Sequence, residues 1–103
     1  NGQQIDGSTK DVIDIGKLNL KLESFGWEVL EIKDGNSLDE IYELISYAKD
    51  KAFKGKPIAV LMKTVMGNGV DFMMHTHDWH GKAPNDEQLE IALSQNPETI
   101  GDY

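Results

Sequence analysis

The residues able to do chemistry gather in one stretch of this chain. Lys63-Thr64-Val65-Met66-Gly67-Asn68-Gly69 closes an apolar run with a Gly-x-Gly loop. The protein's three histidines, His75, His77 and His80, follow within His75-Thr76-His77-Asp78-Trp79-His80-Gly81. Imidazole titrates near neutral pH and passes protons in either direction, so a histidine group on a glycine-hinged loop is a candidate site. Exposed polar residues of an ordinary loop would give the same pattern. As a metal site, His77-x-x-His80 with Asp78 beside it could take zinc, yet it lacks the i, i+4 helical spacing and intervening general base of a metalloprotease. Nucleophilic catalysis has less to stand on, because no Gly-x-Ser-x-Gly elbow occurs. Gly67-Asn68-Gly69 does not continue as a dinucleotide fingerprint, and there is no Gly-Lys-Ser/Thr phosphate loop. Lys63 could face a phosphate or simply be solvated. Trp79 could be a stacking surface or a buried anchor for the loop.

The elements that must position this stretch follow from periodicity and punctuation. Asn1 to Gly7 is rich in turn formers and reads as a loop or strand end. Ser8 or Thr9 can cap a helix whose first turn carries Asp11. Apolar residues from Lys10 to about Ser24 predict one helix, although Gly16 interrupts it and Leu18, Leu20 and Leu22 alternate as in a strand. Trp27 to Ile32 predicts a strand that stops at the turn Asp34-Gly35-Asn36. Ser37 with Glu40 three residues on is a capping-box pattern opening a helix. On it Leu38, Ile41, Leu44, Ile45 and Ala48 share one face. Lys49, Lys51, Lys54 and Lys56 crowd its end, where cations meet the helix dipole favourably. Ile58 to Met62 is a continuous apolar run of the kind buried on both faces of a parallel sheet. Pro84-Asn85-Asp86-Glu87 starts a last helix, and a polar tail is expected over 94–103. Strands alternating with helices predict an α/β fold with a parallel sheet, in the order (β)αβαβ-loop-α, the bracketed strand preceding Asn1. Ligands of such sheets bind beyond the carboxyl ends of strands, where both the Asn1 segment and the Met66–Gly81 loop would sit.

Composition narrows the function. The 103 residues suffice for one small domain, and 39% hydrophobic content argues against disorder. A formal net charge of −8 disfavours nucleic acid or an anionic membrane surface as the main partner. Any anionic ligand must then be held locally, by a metal ion, backbone N–H groups or a few cations. The absence of cysteine excludes a disulfide framework and fits a cytoplasmic protein. No apolar run approaches membrane-spanning length. The chain opens on Asn1 rather than methionine, from which we expect a processed product or a piece of something longer.

Four motifs in order carry a resemblance: Asn1-Gly2-x-x-Ile5-Asp6-Gly7, Phe25-Gly26-Trp27, Lys63-Thr64-x-x-Gly67-x-Gly69 and His80-Gly81. Together they resemble the later part of the thiamine diphosphate-binding domain of transketolases, from Asn1 to about Leu93. The ending Trp79-His80-Gly81-Lys82-Ala83-Pro84-Asn85-Asp86-Glu87 is most similar to the N-terminal half of split transketolases, which is a separate polypeptide. The resemblance implies thiamine diphosphate with Mg²⁺, for which Ca²⁺ or Mn²⁺ can substitute, and transfer of a two-carbon ketol unit between sugar phosphates. It implies that Asn1 gives its side-chain oxygen to Mg²⁺ and touches the cofactor, and that Gln3 ligates the ion through its backbone carbonyl. These are hard oxygen ligands, as Mg²⁺ requires. It further implies that Gly67 and Gly69 let the backbone pass close to the cofactor. His80 would face cofactor and substrate as the catalytic side chain, with His77 and Lys63 in lesser roles.

The same resemblance places a Gly-Asp-Gly segment, whose aspartate is another Mg²⁺ ligand, ahead of Asn1. It places the pyrimidine-binding domain on another segment or chain. We therefore expect an oligomeric assembly in which this piece alone is inactive and binds cofactor weakly, with apolar edges that favour self-association. Competing expectations are a related thiamine enzyme such as a deoxyxylulose phosphate synthase, a non-catalytic assembly or remnant module, and a small zinc-binding protein.

Overall fold

The apolar run Ile58-Ala59-Val60-Leu61-Met62 forms a strand because β-branched and aliphatic side chains fit a pleated surface covered by helices. The computed structural model describes residues 1–96. Within them the order is β1 (Gln3–Gln4), β2 (Gly7–Ser8), α1 (Thr9–Val12), α2 (Leu18–Ser24), β3 (Glu28–Ile32), α3 (Leu38–Lys51), β4 (Ile58–Met62) and α4 (Asp86–Gln95). Strands β3 and β4 pair in parallel, in register from Glu28↔Ile58 to Ile32↔Met62. A parallel pair needs a crossover connection, and α3 supplies it. The predicted βαβ core is therefore present, with both strands ending on the side from which the histidine loop departs.

Helix α3 starts where Ser37 Oγ accepts the Glu40 N–H at 3.4 Å. The expected box is only half made: Glu40 Oε2 accepts the Asp34 N–H at 3.4 Å instead of reaching back to Ser37. Ile41, Leu44 and Ala48 are half-buried, whereas Leu38 is 81% exposed. At the far end Lys51 Nζ lies 3.3 Å from Glu28 Oε1, tying the helix to the start of β3. The Tyr47 side chain first, then the Glu28 carboxylate, hold the Lys51 ammonium above the ordinary lysine value. Helix α4 carries the complete version of the box, with Asn85 Oδ1 accepting from Gln88 N at 2.8 Å and Gln88 Oε1 accepting from Asn85 N at 3.0 Å.

Three expectations need correcting. The single helix over Lys10 to Ser24 is two short ones, α1 and α2, separated by a non-helical stretch. Asp14 Oδ1 accepts the Gly16 N–H at 2.7 Å and Gly16 takes φ +60°, so a local side-chain turn competes with the helix there and wins. The N-terminal loop is an antiparallel hairpin, with Gln3 opposite Ser8 and Gln4 opposite Gly7. The order thus gains a hairpin and one helix over (β)αβαβ-loop-α. Finally, β4 is not buried on both faces: Ile58 to Leu61 are half-buried and Met62 is 44% exposed. A two-stranded sheet leaves both outer edges unpaired, so apolar side chains that a wider sheet would cover stay accessible. The predicted cap at Ser8 is present, accepting from Asp11 N at 3.1 Å. Of the expected tail over 94–103, Ser94 and Gln95 belong to α4, and 97–103 lie outside the described residues.

The dimensions explain the thin core. The Cα radius of gyration is 17.2 Å with extents of 52 × 38 × 18 Å, against about 13 Å for a compact domain of this length. Among the described residues Val70 is the buried hydrophobic, at 9% exposure. No helix is long and apolar enough to cross a membrane among the described residues.

Between the two parallel strands the Asp34–Asn36 turn comes close against the end of β4. Gly35 is buried, its N–H donates to Lys63 O at 2.8 Å, and an added Cβ would lie 2.8 Å from Met62 Cβ and 3.0 Å from Lys63 C. Gly35→Ala should therefore lower stability by about 1–3 kcal/mol in denaturant titrations, since neither strand end can yield without moving backbone. Gly81→Ala, which meets nothing within 4 Å, should stay within about 0.5 kcal/mol of wild type.

Candidate functional site

The site begins where β4 leaves the sheet. Lys63 N donates to Ile32 O at 3.4 Å, Lys63 O accepts from Gly35 N at 2.8 Å, and Val65 N donates to the Asn36 side-chain oxygen at 2.8 Å. These three bonds aim the chain before it enters the glycine loop. Gly67 then takes φ +72° and Gly69 φ +95°, values that side-chain-bearing residues avoid. Val70 N donates to Gly67 O at 3.1 Å, and Val70 O accepts from Met73 N at 2.9 Å and Met74 N at 3.1 Å. The stretch from Gly67 to Met74 therefore winds into consecutive turns around buried Val70. A Cβ at Gly67 would strike the Met73 backbone and lie 2.7 Å from Met73 Cβ. Gly67 is thus required by the loop's own packing, before any ligand approaches it.

The histidines are held by what lies between and around them. His75 has φ +60°, and its carbonyl accepts from Gln3 Nε2 at 3.3 Å. His77 O accepts the His80 N–H at 3.0 Å, so the two close one turn, with His77 Nε2 3.7 Å from Asp78 Oδ1. His80 is exposed and His77 half-buried. Trp79 is a loop anchor: its Nε1 donates to Phe72 O at 2.9 Å, its ring meets Phe72 edge-on at 5.1 Å, and Lys82 Nζ sits 4.8 Å from its centroid. Among the described residues no three His, Cys, Asp or Glu side chains are arranged to hold a metal ion, which leaves the zinc reading without a ligand set.

Of the other residues singled out from the sequence, Asn1 and Gln3 form one corner. Asn1 Oδ1 accepts the Gln3 N–H at 3.0 Å, and a carbonyl oxygen keeps a second lone pair for a hard cation. That donor set suits Mg²⁺, which takes few protein oxygens and completes its octahedron with phosphate and water. The Gln3 side chain, bonded to His75 O, brings this corner against the histidine loop across 72 residues of sequence. Lys63 stands apart: it lines a cleft with Lys17, Leu18, Lys33 and Met62 over the sheet, which includes neither Asn1 nor His80. Sequence reasoning missed Gln95 and Asn96, which bond to Asp71 and Gly69 in the loop. An asparagine just past a helix was the available signal.

Fold and site together define an α/β chain whose glycine- and histidine-bearing loop leaves the carboxyl end of a parallel strand pair. Residues 1–98 match the family described as "Transketolase, thiamine diphosphate binding domain". The chain belongs to this family, as its sequence resemblance implied. It is 33% identical over 95 residues to an apulose-4-phosphate transketolase subunit of Actinobacillus succinogenes, a match covering 92% of this chain and 33% of the relative. Against the 6-deoxy-6-sulfo-D-fructose transketolase subunit SqwG of Clostridium sp. it is 33% identical over 95 residues, 92% of this chain and 34% of that relative. With the transketolase of Nostoc sp. it shares 37% identity over 92 residues, 88% of this chain and 13% of that protein. The chain therefore spans about a third of the length of the transketolase subunits it matches.

The two loop glycines should separate experimentally. Gly67→Ala meets fixed backbone and should cost about 1–3 kcal/mol in thermal or denaturant unfolding. Gly69→Ala meets only the Asn96 side chain, at 2.8 Å, which can swing away, so its cost should be the smaller of the two. Equal losses would mean that positive φ, common to both, dominates over packing.

Proposed function

We propose that this chain is part of a transketolase that uses thiamine diphosphate and Mg²⁺ to move a two-carbon ketol unit between sugar phosphates. Membership of a family described as thiamine diphosphate binding supports the cofactor. The observation that carries the site is the Gln3–His75 contact, which sets the oxygen-bearing Asn1 corner beside the histidine loop. When bound, thiamine diphosphate supplies the carbon nucleophile and the electron sink, chemistry that no side chain can provide.

The chain's own residues divide the remaining work. Asn1 Oδ1 and the Gln3 carbonyl give hard oxygens to the ion, with Ca²⁺ or Mn²⁺ able to replace Mg²⁺. Backbone at Gly67 and Gly69 would lie along the cofactor, in the turn conformation that their positive φ allows. His80, exposed on its turn, donates a hydrogen bond to diphosphate or substrate oxygen and moves protons at the substrate hydroxyl. His77 supports that turn through its carbonyl, and Lys63 adds a cation at the sheet edge without a place in the catalytic step. The rest of the site, including the Gly-Asp-Gly aspartate and the pyrimidine-binding domain, comes from other segments or from a partner chain. Three of the similar transketolases are named as subunits, which supports a partner of that kind. The protein works as an oligomer in the cytoplasm.

Calorimetry tests the division. The assembled protein should bind thiamine diphosphate in the micromolar range and only with a divalent cation present. The isolated 103-residue chain should bind none at that concentration; micromolar binding by it alone would sink the claim that the site is shared. In the assembled enzyme His80→Ala should lower kcat by about 10²-fold, the scale of general acid–base help, with cofactor affinity changed far less. An unchanged kcat would remove His80 from the catalytic role.

A further inference from the structure

The end of α4 reaches back to the glycine loop through polar bonds that the cofactor reading does not use. Gln95 Oε1 accepts the Asp71 N–H at 2.8 Å, and Gln95 Nε2 donates to Asp71 Oδ2 at 3.3 Å. One amide therefore holds both the backbone and the side chain of a single loop residue. Next to it, Asn96 Nδ2 donates to Ala92 O at 2.8 Å and to Gly69 O at 3.4 Å. Asn96 Oδ1 stands 2.8 Å from where a Gly69 Cβ would be, so the bare backbone at Gly69 makes room for this contact. We infer that Gln95 and Asn96 are positioning residues, a clamp that holds Gly69 to Asp71 in the shape the cofactor requires. The inference rests on the functional reading above, in which this backbone faces thiamine diphosphate.

Topology gives the clamp its leverage. The segment between Asp71 and Gln95 contains every histidine and the Trp79 anchor, and the clamp joins its two ends. Closing a loop removes conformations available to everything inside it. The glycine loop is held upstream by Asn36 on Val65 and downstream by α4, so losing the clamp frees one end while the sheet stays intact. Helix α4 can bear this load because its own capping box fixes its start.

A charge swap tests it in the assembled protein, with thiamine diphosphate and Mg²⁺ as ligands. Gln95→Glu sets a second carboxylate against that of Asp71 and removes the amide donor. We expect cofactor affinity to fall about tenfold and amide exchange over 67–74 to rise, with the global melting transition in place. Asp71→Asn in the same background restores a donor to the new carboxylate and should recover both readouts. Unchanged affinity in Gln95→Glu beside tight wild-type binding would overturn the clamp, as would a double variant no better than the single one. Wild-type protein that binds no thiamine diphosphate would instead take down the functional reading, and this inference with it.

Discussion

The close approach of the Asp34–Asn36 turn to the end of β4 is the contact on which the site depends. Two strands in parallel register end together, and the turn after the first must cross the chain leaving the second. Only glycine fits at position 35, where the peptide N–H meets Lys63 O at 2.8 Å with Met62 and Lys63 directly behind. Asn36 then takes the Val65 N–H, so the chain leaves the sheet in a fixed direction. From there the loop is held by two groups distant in sequence, Gln3 on His75 and Gln95 on Asp71, and by an anchor of its own, Trp79 on Phe72. Each bond on its own is worth only about 0.5–1.5 kcal/mol in water. Together they hold a stretch that lacks helix or strand in a single arrangement.

The scaffold around that loop is thin. A slab 18 Å deep has room for about two layers of secondary structure, and its two-stranded sheet cannot cover its own faces. That is why residues such as Leu38, Tyr42 and Phe25 remain exposed while Val70, inside the glycine loop, is buried. Under the proposed reading, apolar surface of this kind would face the rest of the enzyme. In that reading packing and function are coupled, since buried Val70 lies in the loop proposed to carry the chemistry.

Much of the fold was legible because its signals are local. Period-3.6 patterning with Ser37 and Asn85 at the caps identified α3 and α4, and the apolar runs identified β3 and β4. The first helix was misread because the Asp14–Gly16 turn is a hydrogen-bond competition that apolar periodicity does not record. Half of the Ser37 box failed for a similar reason, since the Ser37 N–H donates to Asp34 O at 3.3 Å and Glu40 accepts from Asp34 N instead. The site was less legible from spacing. His75, His77 and His80 looked equivalent in sequence, and nothing local distinguishes the strained, Gln3-bonded His75 from the turn formed by His77 and His80. The fold reading put the Asn1 segment at a strand's carboxyl end, but roles for Asn1 and Gln3 came only through resemblance to transketolases. Their meeting with the histidine loop, like the one between Gln95 and Asp71, joins residues too far apart for any local pattern to report.

A crystal structure of the assembled protein grown with thiamine diphosphate and Mg²⁺ would test the central claim most directly. We predict Asn1 Oδ1 and the Gln3 carbonyl on the ion at about 2.1 Å. The Gly67–Gly69 backbone and His80 should lie beside the diphosphate or the substrate channel. An ion bound without Asn1, or a cofactor seated away from the Lys63–Gly81 loop, would contradict this.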